Sequence, residues 1–128
     1  MNLKRNLGKI VLASTVGLGL VGCSNPEYHF DGMLGEDKVK FYEIGFLKDD
    51  DYLEVIKPDG RKIVYEVIND LFTNHIISVE ITSQGVTKRY EVGRKDTKEI
   101  VEVAQKQFDE YLKKILETKK QEGLKNLK

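Results

Sequence analysis

A single cysteine, Cys23, occurs in the 128 residues, so no intrachain disulfide can hold this chain and a hydrophobic core must do so alone. The position of that cysteine divides the chain. Before it, Lys4, Arg5 and Lys9 form a positive start with no acidic residue until Glu27, and Ile10 to Gly22 is a run of 13 residues without a charge. A membrane-spanning helix needs about 20 apolar residues at about 1.5 Å each. The run is too short to span, and its basic flank suits the cytoplasmic side of a membrane during export, so it reads as the apolar part of a secretory signal. Gly17, Gly19 and Gly22 loosen its end, where a peptidase needs an extended backbone.

The boundary itself is Leu20, Val21, Gly22 and Cys23. This pattern resembles the lipobox of prokaryotic membrane lipoproteins, in which an aliphatic residue and two small ones precede an invariant cysteine. The likeness covers residues 1 to 23, with Val21 where the family often has a smaller side chain. It implies cleavage between Gly22 and Cys23, a diacylglycerol on the Cys23 sulfur, and in many bacteria a further acyl chain on its new amine. A thiol is the side chain best suited to such alkylation near neutral pH. Ser24 stands where an aspartate would hold many lipoproteins in the inner membrane, so the resemblance implies the outer membrane in a two-membraned cell. In a single-membrane cell it implies the outer face of the cytoplasmic membrane.

The expected organisation is therefore a cleaved signal over 1–22, a lipidated cysteine and short tether over 23–27, and one domain over 28–128. The whole chain balances 21 basic and 21 acidic residues, and losing Lys4, Arg5 and Lys9 leaves 18 basic against 21 acidic. So small an excess of negative charge argues against a nucleic-acid binder. The acidic residues concentrate before Gly93 and the basic ones after it.

Period-two patterning dominates residues 28–93. Tyr28, Phe30 and Leu34 are spaced to share one face of a strand, and Gly35-Glu36-Asp37 is turn material leading to Val39, Phe41 and the apolar Ile44 to Leu47. Asp49-Asp50-Asp51 reads as a solvated loop. It lacks the alternate spacing, turn glycine and distal glutamate of a calcium loop, so no metal is expected there. Pro58-Asp59-Gly60-Arg61 marks a hairpin between Tyr52–Lys57 and Lys62–Ile68: Pro pre-sets φ, Asp caps the turn and Gly accepts a positive φ. Ile63, Tyr65 and Val67 then lie on one face, with Val64, Glu66 and Ile68 on the other. Asn69 to His75 connects to a second hairpin, Ile76–Thr82 and Val86–Val92 about Ser83-Gln84-Gly85, with Ile77, Val79 and Ile81 on one face. Leu71 and Phe72 in that connection are candidates to plug an end of the sheet.

From Asp96 to Glu122 the period changes to that of a helix. Asp96 or Thr97 is the expected cap, with Glu99 as the return arm of a capping box. Ile100, Ala104, Phe108, Tyr111, Leu112 and Ile115, supported by Val101, Val103 and Leu116, form the stripe expected to lie on the sheet. At about 40 Å such a helix outruns strands of about 20 Å. The overhang carries Lys113, Lys114, Lys119 and Lys120, the candidate contacts for anionic headgroups or a partner, with Lys125 and Lys128 beyond. The expected fold is α+β: a six-stranded, mostly antiparallel β-meander packed against one long C-terminal helix.

Chemistry is sparse. His29 and His75 are far apart with no motif that would place them on one metal, Ser83 has no nucleophile elbow around it, and no glycine loop for phosphate occurs in the mature chain. Glu54 and Glu66, which the Pro58 hairpin brings near one another, read as exposed sheet residues. No catalytic residue, metal or cofactor is expected apart from the covalent lipid. The sequence is that of a small non-enzymatic envelope lipoprotein, with membrane lipid as one partner, another envelope protein as the second, and no nucleic acid. Two other readings are an apolar-ligand carrier, with a cavity lined by Phe41, Phe46, Tyr65 and Tyr90, and a structural envelope component.

Overall fold

The computed structural model describes residues 26–44, 50–69 and 74–128. The lipobox residues Leu20, Val21, Gly22 and Cys23, the apolar stretch through Phe46 and Leu47, Asp49, and Leu71 and Phe72 lie outside them. Six strands follow in chain order: β1 Pro26–Leu34, β2 Asp37–Ile44, β3 Asp50–Ile56, β4 Lys62–Asn69, β5 Asn74–Ser83 and β6 Val86–Glu91. They form one sheet in sequence order, every neighbouring pair antiparallel. A 3-10 turn, Lys95–Thr97, leads into α1, Lys98–Leu127. The α+β meander with one C-terminal helix is the architecture the patterning predicts.

Local chemistry closes the hairpins. Between β3 and β4, Gly60 N–H donates to Lys57 O at 2.9 Å, Lys57 N–H to Arg61 O at 2.8 Å, and Arg61 N–H to Asp59 Oδ1 at 3.0 Å, with Gly60 at φ 95°. The turn between β5 and β6 is tighter: Ser83 pairs with Val86, and Gln84 and Gly85 make the turn at φ 53° and 79°. Positive φ at both central residues is the twist that antiparallel strands require of a two-residue loop.

Two bulges shift the faces from strict alternation. Between Tyr28 and Phe30 the register slips at His29, so Tyr28 opposes Tyr42 while Phe30 opposes Phe41. Tyr28 therefore leaves the face it was expected to share with Phe30 and Leu34. The second slip lies between Glu66 and Val67, where Glu66 opposes Ser78 and Val67 opposes Ile76. Ile77 is the extra residue, and Ile76, with Val79, takes the buried place that alternation assigned to Ile77. A bulge adds one residue to one strand, and a period-two pattern does not reveal it.

The core lies between the sheet and α1. Val39, Phe41, Leu53, Val55, Ile63, Tyr65, Val67, Ile76 and Val79 meet Val101, Ala104, Phe108, Tyr111 and Ile115. The helical set recurs at intervals of three and four, which keeps it on one side of a 3.6-residue helix. Ile100, Val103 and Leu116 fall outside that stripe and are exposed. Phe108 is fully buried, its ring edge-on to Phe41 at 6.1 Å and tilted against Tyr65 at 6.3 Å. Polar contacts fix the helix along its length. Gln105 accepts from Ile76 N–H at 2.9 Å and donates to Asn74 O at 3.1 Å, and Tyr65 donates to Gln107 at 3.1 Å. Tyr111 donates to Asp37 at 2.7 Å, with Lys57 bonded to both.

Neither end of α1 is as the sequence suggested. The expected capping box is replaced: no side chain caps the first turn, and the Thr97 hydroxyl points back to Glu91 O at 2.7 Å and Arg94 O at 3.1 Å. That tie to β6 outweighs the local cap. At the other end the helix continues through Gly123 to Leu127, about 45 Å in all, and every residue from Lys119 onward is exposed.

Burial also sets an alkaline limit to the fold. It pushes the Tyr65 phenol far above the ordinary tyrosine value, with Tyr111 and Asp37 adding to the shift, and it does the same to Tyr42, helped by Glu54. Their neutral forms belong to the folded state. In the unfolded chain both ionise near pH ~10, so the stabilisation they give is intact below that pH. Each loses about 1.4 kcal/mol per unit above it. A pH titration followed by phenolate absorbance and circular dichroism should show these phenols ionising together with unfolding, and Tyr65→Phe should flatten the stability loss. Ionisation of every tyrosine near pH ~10 with the fold intact would contradict this.

Candidate functional site

The two faces of the sheet differ in kind. One is covered by α1. On the other, Tyr28, Tyr42 and Tyr52 come from three successive strands and lie side by side: Tyr28 and Tyr42 at 5.6 Å and tilted, Tyr42 and Tyr52 at 5.6 Å and stacked. Each pair sits directly opposite in register. Cross-strand aromatic pairs of this kind contribute about 0.2–1 kcal/mol each and also form an amphipathic platform. Tyr28 is half-exposed.

Charged groups border the row in ordered pairs. Glu66 accepts from Ser78 at 3.1 Å and from Arg89 at 3.2 Å, and Arg89 also reaches Glu91 at 3.1 Å and Glu80 at 3.9 Å. Despite burial, hydrogen bonding with the Asp50 side chain, hydrogen bonds donated by Arg89 and Ser78, and the Arg89 charge hold the Glu66 carboxyl below its usual range. Glu54 pairs with Lys62 at 3.6 Å. In register Glu54 opposes Val64 and Glu66 opposes Tyr52, so the two glutamates are not directly across from one another. Glu66 is moreover buried, not an exposed sheet residue.

The four candidate lysines are all exposed. Lys119 Nζ donates to His29 O at 2.9 Å, which lays this part of α1 beside β1, and Lys114 sits 6.0 Å from the Tyr111 ring centre. At ~100° per residue, Lys113 and Lys120 share the outward face with Leu116, Leu124 and Leu127. These leucines are 58 %, 44 % and 85 % exposed. Leu124 and Leu127 therefore belong to the helix itself and extend an apolar and basic stripe along it. No described helix is long and apolar enough to cross a membrane.

A third grouping went unread in the sequence. Glu27 opposes Glu43 and Glu43 opposes Asp51, a row of carboxylates across β1, β2 and β3. Asp51 belongs to β3 and is only 6 % exposed, not part of a solvated loop. The bulge brings His29 over this row: its Nε2 lies 4.0 Å from Asp51 Oδ1, and one ligand atom each from His29, Glu43 and Asp51 fall within 4.8 Å of one another. These residues stand 14 and 8 positions apart with no motif spacing. Only the register and the bulge bring them together. His75 pairs in register with Ile68 near the start of β5, away from this row.

In comparisons with known proteins, no family profile, curated protein or solved structure matches this chain.

Proposed function

We propose that this chain is a small extracytoplasmic lipoprotein, held to the membrane through Cys23, that binds another envelope protein on the open face of its sheet and has no enzymatic role. The carrying observation is the asymmetry of the sheet: α1 closes one face, and the other presents the row Tyr28, Tyr42 and Tyr52. Tyrosine is enriched at protein interfaces because it offers a large apolar body with a polar tip. Glu54 beside Tyr28 and Tyr42 favours a partner presenting arginine or lysine with apolar surface, which the ring faces also attract.

We infer that the basic end of α1 faces the headgroups. β1 begins at Pro26, three residues from Cys23, a reach of about 10 Å when extended. Lys119 holds the helix to that same strand at His29. Lys113 and Lys120, with Leu116, Leu124 and Leu127, then meet the bilayer surface, each lysine adding about 1 kcal/mol on an anionic leaflet. The apolar-ligand reading loses support, because Phe41 and Tyr65 pack directly on Phe108.

Cross-linking in the native envelope, with mass spectrometry of what is captured, tests this. Full-length protein is compared with a chain ending at Leu116, which keeps every buried residue of α1. One dominant protein captured by both forms is the expected result. Capture lost on truncation would move the contact to α1, and only lipids and abundant bystanders in both samples would refute the binding role.

A further inference from the structure

We propose that His29, Glu43 and Asp51 form a binding site for a divalent transition-metal cation such as Zn2+. Like charges directly opposite one another in a sheet are destabilising, and here three carboxylates, Glu27, Glu43 and Asp51, lie in one cross-strand row. Among the described residues no lysine or arginine pairs with any of them; the one basic neighbour is His29. Asp51 is the telling member. It is 94 % removed from solvent, and apart from His29 and Glu43 no described group bonds its carboxylate. A buried carboxylate normally has donors from backbone or side chains. Among the described residues this one faces an imidazole and another carboxyl, a pairing that suits a metal ligand.

The donor set selects the class of ion. One imidazole nitrogen with two carboxylate oxygens suits zinc or manganese, whereas calcium takes about 6–8 oxygens. Ligand distances of about 2.0–2.2 Å place tetrahedral donors about 3.4 Å apart, so a spread of 4.8 Å closes by small side-chain rotations. Glu27 stands next in the row as a further carboxylate for a ligand or for a metal-bound water. His29 is the bulge residue of β1, and a bulge is a device that re-aims a side chain. The Phe41 ring, 5.2 Å from the imidazole, supports it from the side. The metal would join β1, β2 and β3 at the end of the sheet nearest the tether.

Calorimetric titration of the full chain in detergent with Zn2+ tests the assignment, against His29→Ala, Asp51→Asn and, as a control, His75→Ala. Because the Cys23 thiol can bind zinc, all are made in a Cys23→Ser background. One zinc per chain is expected, weakened roughly tenfold or more by each site substitution and unchanged by His75→Ala. Asp51→Asn also separates binding from folding: it removes a buried charge, so the metal-free variant should melt at least as high as its parent yet lose the zinc-induced rise in Tm. No saturable zinc binding, or equal binding by His29→Ala and Asp51→Asn, would overturn the site.

Discussion

Phe108→Ala should bring the protein close to unfolding. Phe108 has no exposed surface and touches both Phe41 and Tyr65 at the centre of the sheet–helix contact. Removing its ring leaves a cavity that the paired strands on one side and the helix backbone on the other cannot collapse to fill. Substitutions of this type cost about 3–5 kcal/mol, set against a total of about 5–15 kcal/mol for an ordinary domain. With one cysteine in the chain, no intrachain cross-link offsets the loss. Thermal and urea unfolding should show Tm lower by on the order of 20 °C. Val103→Ala, five residues earlier in the same helix at 51 % exposure, should shift stability by no more than about 0.5 kcal/mol. Similar losses at the two positions would mean that α1 does not pack on the sheet along the Val101 to Ile115 stripe.

What the sequence disclosed and what it withheld follow from the range of the forces involved. The Pro58 to Arg61 turn is set by neighbouring residues, and the alternation of Ile63, Tyr65 and Val67 is read within one strand, so both are legible. Short connections between such strands then make the meander. The bulges at His29 and Ile77 depend on how two strands settle against each other, and they moved Tyr28 to the open face and Ile76 into the core. Thr97 looks like a helix cap by type, but β6 ends close enough to take its hydroxyl. Asp51 lies in an acidic triplet typical of loops, and its burial comes from β2 and β4 on either side. The tyrosine row is similar: Tyr28, Tyr42 and Tyr52 are far apart in sequence, and only the register aligns them. A count outward from the Gly35-Glu36 turn would have paired residue 29 with Tyr42, one place away from the observed register.

The anchor has the other large expected effect. Each buried methylene contributes about 0.8 kcal/mol to bilayer attachment, so a single acyl chain binds marginally while the two of a diacylglycerol hold stably. The domain offers no spanning helix among the described residues, and exposed lysines beside an anionic surface supply only a salt-sensitive attraction. On the proposed lipidation, attachment through Cys23 is expected to be close to all-or-none, and loss of the thiol is expected to release the domain from the membrane.

The most direct measurement compares the native chain with Cys23→Ser by membrane fractionation at high salt, together with mass spectrometry of the mature N-terminus. The native protein is expected to stay with the membrane and to begin at a diacylglycerol-modified Cys23, and Cys23→Ser is expected to carry no lipid label and not to be retained. An unmodified Cys23 in the native protein, or membrane retention of Cys23→Ser at high salt, would contradict anchoring through Cys23.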